Sequence, residues 1–340
     1  MTVHVLLLAI SFVIILGGSE VFTNGVEWAG EKFDVAEAAV GSLLAAVGTA
    51  LPETFVPAVA LLMSRGHPGP HSEVGVGAIV GAPLMLSTVA LLVMGVAALA
   101  FRKRRTQIAL RVAREDARRD LNFFLPVFVT LVLLGALADL GPHARELVAA
   151  ALLLVYVLYA RMMLQIERKP EAAVEHGLYL ERLFRGRPEN PRTWYIALQV
   201  ALGVGAILAG AREFVDQIVL FSAHAGLNPG VLSLILSPLA TELPEKYNSV
   251  IWIRQRKDNL ALANITGAMV FQSCIPVAIG VAFTPWHLSP AELLGGAIAL
   301  ASSALLYLNL RDSELGTPTL MLGGVAYAIF LGGLVFLGVL

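Results

Sequence analysis

Charge is scarce in this chain. Of its 340 residues only 14% are Asp, Glu, Lys or Arg and 57% are hydrophobic, against roughly 25% charged in an average soluble domain. That balance excludes a water-soluble globular domain and points to a bilayer. Cysteine is scarcer still: the single Cys274 can form no intrachain disulfide and has no second thiol beside it for a metal site. No HExxH or GxSxG motif and no aspartate pair of the intramembrane-protease kind occurs, which sets an intramembrane hydrolase aside. A passive channel stays as a rival that only a test of obligatory exchange removes. Short segments of alternating polarity are missing too, and runs such as AALLLVYVLYA are apolar on every face, so helices rather than a barrel cross the membrane. The first apolar run has neither a basic start nor a small-x-small cleavage site, so it reads as a first helix and not as a signal peptide.

What the chain has is ten apolar stretches of about the length that a hydrocarbon core of roughly 30 Å demands. They run 3–22, 36–64, 75–100, 122–141, 143–166, 193–214, 227–253, 259–283, 289–309 and 317–339. They predict an all-α integral membrane protein of about ten transmembrane helices. The formal net charge of −1 conceals an asymmetry: with ten spans, 20 Lys and Arg fall in the odd-numbered connections and 3 in the even-numbered ones. The 20-residue side is expected to be cytoplasmic, which puts both termini outside the cell membrane. Eight of the 20 lie between positions 102 and 119. Their place between two spans accounts for them, so no nucleic-acid partner is expected.

The chain also repeats itself. At an offset of 192, Gly18 meets Gly210, Phe22 meets Phe214, Asn24 meets Asp216, Thr49 meets Thr241, Pro52 meets Pro244 and Glu53 meets Glu245. At an offset of 186, VGAIVGAPLML faces LANITGAMVFQ and Gly81 pairs with Gly267. Thr, Pro and Glu at matched spacing are uncommon within spans, which argues against chance likeness of two Gly-rich stretches. Five spans per half force the second copy into the opposite orientation, the inverted-repeat plan of many secondary transporters. The expected organisation is one transport domain over 1–340, with repeat one at 1–166, a cytoplasmic connection at 167–192 and repeat two at 193–340. That connection is expected to hold a short interfacial helix bearing Leu178, Leu180, Leu183 and Phe184.

The matched motifs are GTALPE at 48–53 and ATELPE at 240–245. A proline inside a helix donates no hydrogen bond and crowds the carbonyl four residues back, here Gly48 and Ala240. Freed backbone at membrane depth is tolerated where it lines a polar cavity, and carbonyl oxygen suits hard cations. Two matching helix breaks are therefore expected. Thr49 and Thr241 each lie four residues before a glutamate and would share its face. A carboxylate within a span costs several kcal/mol unless a charge offsets it, and one divalent cation offsets two. Lys246 lies four residues after Glu242, a spacing that favours an ion pair, so it is the candidate counter-ion. It would leave Glu53 and Glu245 as a net dianionic site; the alternative is that it snorkels to an interface. Glu20 and Arg212 occupy equivalent repeat positions, where a gating pair competes with two solvated helix ends. His67, His71 and His224 read as solvated.

These residues resemble the two repeats of the cation/calcium exchanger superfamily, whose sodium/calcium members carry GTSLPE in each half followed by a GNxxGSNxxN-like helix. The resemblance implies ten helices, ion sites on the second, third, seventh and eighth, and alternating access by movement of the first and sixth. It makes Glu53 and Glu245 the shared calcium carboxylates, with oxygen from Thr49 and Thr241. Departures are clear: Ala50 and Glu242 replace the motif serine, and Ala78, Ala82, Pro83 and Leu86 replace the polar string of the third span. The eighth keeps Asn264 and has Ala268, Met269 and Gln272 at the other positions. Glu242, Asn264 and Gln272 complete the expected ligand set. The reading is a secondary active antiporter exchanging calcium for sodium, with a proton-coupled or other divalent-cation exchanger as the alternative. No cofactor is expected beyond the transported Ca2+ and its counter-ion, Na+ or H+.

Overall fold

A computed structural model of the chain describes residues 2–32, 45–104, 108–137, 139–165, 177–184, 191–310 and 314–339, the side chains of 45–51, Arg104 and Leu164 excepted. Its helices are α1 (Thr2–Lys32), α2 (Ala45–Ser64), α3 (Pro70–Ala100), α4 (Arg114–Leu137), α5 (Pro142–Leu164), α6 (Tyr179–Leu183), α7 (Thr193–Ala225), α8 (Pro229–Thr241), α9 (Leu243–Arg254), α10 (Asp258–Phe283), α11 (Pro290–Asn309) and α12 (Thr317–Phe336). Eight of these are long and apolar enough to cross a membrane, and α2 and the broken pair α8–α9 fill the two remaining places in the expected order. The chain is thus a multi-pass helical membrane protein. The β-structure among the described residues is a two-residue antiparallel ladder, Leu110–Arg111 on Glu314–Leu315.

The two repeats interlock. First helix packs on first helix (α1 on α7), and the third helix of each repeat packs on the second of the other, α3 on α8 and α10 on α2. α3 and α10 form the centre: 78% and 72% of their most apolar stretches are buried, against 17–44% for the other crossing helices. The latter turn Leu147, Leu154, Val157, Val325 and Ile329 outward, as lipid-facing surfaces do. Apolar side chains gain little by leaving lipid for one another, so close backbone approach carries the packing. On α3, a Cβ at Gly77 or Gly81 would collide with the backbone carbonyls of Gly230 or Leu234 on α8. On α7, a Cβ at Gly203 would sit 2.8 Å from the backbone of Phe22.

Two elements differ from expectation in length. α1 and α7 run 31 and 33 residues, well past the apolar stretches 3–22 and 193–214. At about 1.5 Å per residue both exceed the hydrocarbon core and must tilt or project. Polar residues continue them because each buries the other, as with Asn24 and Gln217. The connection helix α6 clasps their far ends. The Tyr179 N–H donates to Asn24 Oδ1 (3.2 Å), the Tyr179 hydroxyl to Glu20 Oε1 (2.6 Å), and the Leu180 N–H to Gln199 Oε1 (2.8 Å). Burial, reinforced by Glu20, pushes the Tyr179 phenol up to about 12, so it remains a donor across the working pH range. Leu178 is buried against Trp28 and Ile196, whereas Leu183 and Phe184 face outward.

Candidate functional site

The ladder of α8 stops where Glu242 N–H donates to the Pro238 carbonyl (3.1 Å), and that of α9 restarts where Lys246 N–H donates to the Glu242 carbonyl (3.2 Å). Pro244, in the first turn of α9, has no N–H to give. The carbonyls of Leu239, Ala240 and Thr241 fall outside both ladders. Glu242 is the hinge residue itself, closing α8 and opening α9. The Lys246 ammonium reaches back 3.1 Å to Glu242 Oε2 and 3.4 Å to the Glu242 carbonyl, so the ion pair inferred from spacing is present.

The first half differs. Pro52 lies inside the continuous helix α2, and the second expected break is not formed. A single proline removes one hydrogen bond and crowds one carbonyl, which a helix can absorb by bending. At 242 the Lys246 ammonium adds a second donor to a carbonyl that already accepts the Lys246 N–H; the position equivalent to Lys246 in repeat one is Thr54, which carries no ammonium. The side chain of Thr49 lies outside the described residues.

Around the break the bundle buries an unusual amount of charge. Glu53, Glu242, Glu245 and Lys246 are 5%, 0%, 3% and 5% exposed, and Thr241 is buried beside them in sequence. The Glu53 carboxylate is within electrostatic reach of Glu245, Glu242 and Lys246, so one patch of interior gathers three carboxylates and one ammonium. Both oxygens of Glu53, Oε1 of Glu242 and Oε2 of Glu245 have no hydrogen-bond partner. From α10, Gln272 brings its buried amide close to Glu242 while its Oε1 has no partner. Asn264 lies eight residues away on the same helix, about 12 Å along the axis, half-buried and with Nδ2 unpartnered; no described hydrogen bond joins it to the carboxylates. Among the described residues no three His, Cys, Asp or Glu side chains close around one point as metal ligands. The cluster is an open cradle of carboxylates rather than a finished chelate.

At the positions of the expected polar string the third span carries no side-chain oxygen. Ala78, Ala82, Pro83 and Leu86 are buried, and the hydroxyls of Ser87 and Thr88 donate to the carbonyls of Pro83 and Leu84 on their own helix. After Pro83 the helix widens into a π turn at Leu86–Ala90, which composition does not reveal. Also missed was Asp120, a buried carboxylate on α4 that accepts from Thr266 Oγ1 (2.6 Å) on α10 and from the Tyr159 hydroxyl (3.0 Å) on α5. Its partners lie 146 and 39 residues away, so no local pattern signals it. Of the two readings for Glu20 and Arg212, the exposed helix ends fit and the gating pair does not: both residues are exposed, and Glu20 accepts from the Tyr179 hydroxyl.

The family model for the sodium/calcium exchanger protein matches residues 3–165 and 195–339. The chain belongs to this family. The match spans both halves, so the exchanger's two repeats both fall within it. Among similar sequences, the candidate antiporter CaxA of Alkalimonas amylolytica is 24% identical to the exchanger over 98% of each chain. The sodium/calcium exchanger MaX1 of Methanosarcina acetivorans is 25% identical over 86% of each. Among solved structures, the H+/Ca2+ exchanger CAX shares the fold with a TM-score of 0.75 at 16% identity, covering 98% of this chain and 82% of that one. The sodium-calcium exchanger NCX_Mj shares it with a TM-score of 0.58 at 21% identity, covering 97% of each. Family membership makes this exchanger a cation antiporter.

Proposed function

We propose that this exchanger carries calcium at a site made by Glu53 and Glu245, in return for sodium. The observation that supports it is the cluster of buried carboxylates, four of whose oxygens have no hydrogen-bond partner. Leaving such groups unpaired within a bilayer is costly, and a hard divalent cation with an oxygen preference offsets it. With Glu242 neutralised by Lys246, two negative charges remain, matching one calcium ion. Thr241, the carbonyls at the break and Gln272 supply further oxygen, and Thr49 does so from the other repeat. Release follows when the counter-ion takes over the carboxylates and the site opens to the opposite side.

A second reading is exchange for protons. It draws support from the third span, whose buried positions Ala78, Ala82 and Leu86 hold no oxygen for a sodium ion. A proton needs only the carboxylates themselves. Calcium-45 uptake into proteoliposomes, driven in one arm by a sodium gradient and in another by a pH gradient, decides between them. Uptake in neither arm, or uptake without obligatory exchange, would defeat both.

A further inference from the structure

A second constellation lies where α1 begins and α7 ends, outside the carboxylate cluster. His4 and His224, 220 residues apart in sequence, bring their ring centroids to 4.9 Å with planes 42° apart. His224 Nδ1 lies 2.8 Å from the Leu220 carbonyl oxygen. A carbonyl only accepts, so Nδ1 carries the proton and Nε2 of the neutral ring holds a lone pair. His4 Nδ1 lies 2.7 Å from Gln217 Oε1, and Gln217 Nε2 donates to Glu213 Oε1 at 2.8 Å. The second bond fixes the amide orientation: its oxygen faces His4, which must donate through Nδ1 and also keeps a lone pair on Nε2. Both acceptors sit in earlier turns of α7, and each Nε2, on the other side of its ring, is turned away from its acceptor.

Two imidazoles with Nδ1 engaged and Nε2 free, one of them backed by a relay ending on a carboxylate, are what histidine metal ligands require of their surroundings. The spacing fits as well. With a metal–nitrogen bond of about 2.0–2.1 Å and a tetrahedral angle, two ligating rings hold their centroids about 5 Å apart. We propose that His4 and His224 form a binding site for a divalent transition-metal ion of the Zn2+, Ni2+ or Cu2+ class, with water completing its shell. Imidazole nitrogen selects such ions over calcium, which takes oxygen. Among the described residues no third His, Cys, Asp or Glu joins the pair, so the ion is exchangeable. When bound, it ties the first helix of one repeat to the first helix of the other.

The test is titration of the purified full chain with ZnCl2 in saturating calcium. One zinc ion per chain is expected, undisturbed by calcium. His4→Ala and His224→Ala should each weaken it at least 10-fold, and Gln217→Leu, which unlocks the His4 tautomer, by about 10-fold; His71→Ala should not. Zinc affinity unchanged in both His4→Ala and His224→Ala overturns the proposal. Should either variant fail to fold, the electron paramagnetic resonance of one equivalent of Cu2+ on the unmodified chain decides. Superhyperfine structure from two nitrogens is expected, and a spectrum of oxygen ligation alone overturns the site.

Discussion

Glu242 and Lys246 are a buried pair on one helix face, and their neighbours Glu53 and Glu245 have oxygens with no partner. Glu53→Gln and Glu245→Gln keep side-chain shape and remove one charge each. Each is expected to bring calcium-45 uptake down to the background of empty vesicles, with an unchanged size-exclusion profile; uptake retained by both would move calcium elsewhere. Lys246→Ala leaves Glu242 alone in the interior, and breaking a buried pair costs about 3–5 kcal/mol. A sodium ion or a proton on Glu242 relieves that cost, so the variant should melt at a lower temperature, recover with added sodium or falling pH, and transport with greater sensitivity to both. Under the proton-exchange reading, the unaltered chain should depend only weakly on sodium. Strong sodium-driven flux unchanged by Lys246→Ala would place the lysine outside the site. Much of this was legible in sequence, because an i to i+4 pair and an exact repeat are local or periodic signals. His4 with His224 and Asp120 with Thr266 were not, since nothing local marks partners more than 140 residues apart.

Helix crossings test the packing in the same way. Gly77→Ala sets a methyl against the Gly230 carbonyl, and Gly81→Ala sets one against that of Leu234. Backbone cannot yield as a flexible side chain does, and overpacking typically costs about 1–3 kcal/mol. Both variants should show a lower melting temperature in detergent. Gly205→Ala, with nothing within 4 Å, should match the unaltered chain or exceed it slightly; equal melting of all three would show that the α3–α8 crossing is slack. The existence and order of the elements could be read from apolar runs, whereas the full length of α1 and α7 could not. Residues such as Asn24 and Gln217 look like the end of a span by hydropathy, yet each is buried by the opposing helix. Pro52 and Pro244 sit in matched motifs and only Pro244 marks a break, so the proline alone does not decide.

For the molecule as a whole, 20 cationic side chains on one side against 3 on the other set the orientation expected in the membrane. In a Cys274→Ala background, a cysteine at Lys103 should label from the cytoplasm and one at His67 from outside. An external label at 103 would invert the topology. The unequal proline motifs then carry a consequence for the transport cycle. A carrier built from two identical inverted halves would present mirror-image stations to the two compartments and run alike in both directions. Here one half holds an ammonium and a hinge where the other holds Thr54 and an unbroken helix. No such difference can alter the equilibrium that the ion gradients dictate, for that belongs to the solutions and not to the protein. It can set on which side the unloaded carrier waits, and hence how much of the carried cation each compartment must offer before turnover begins.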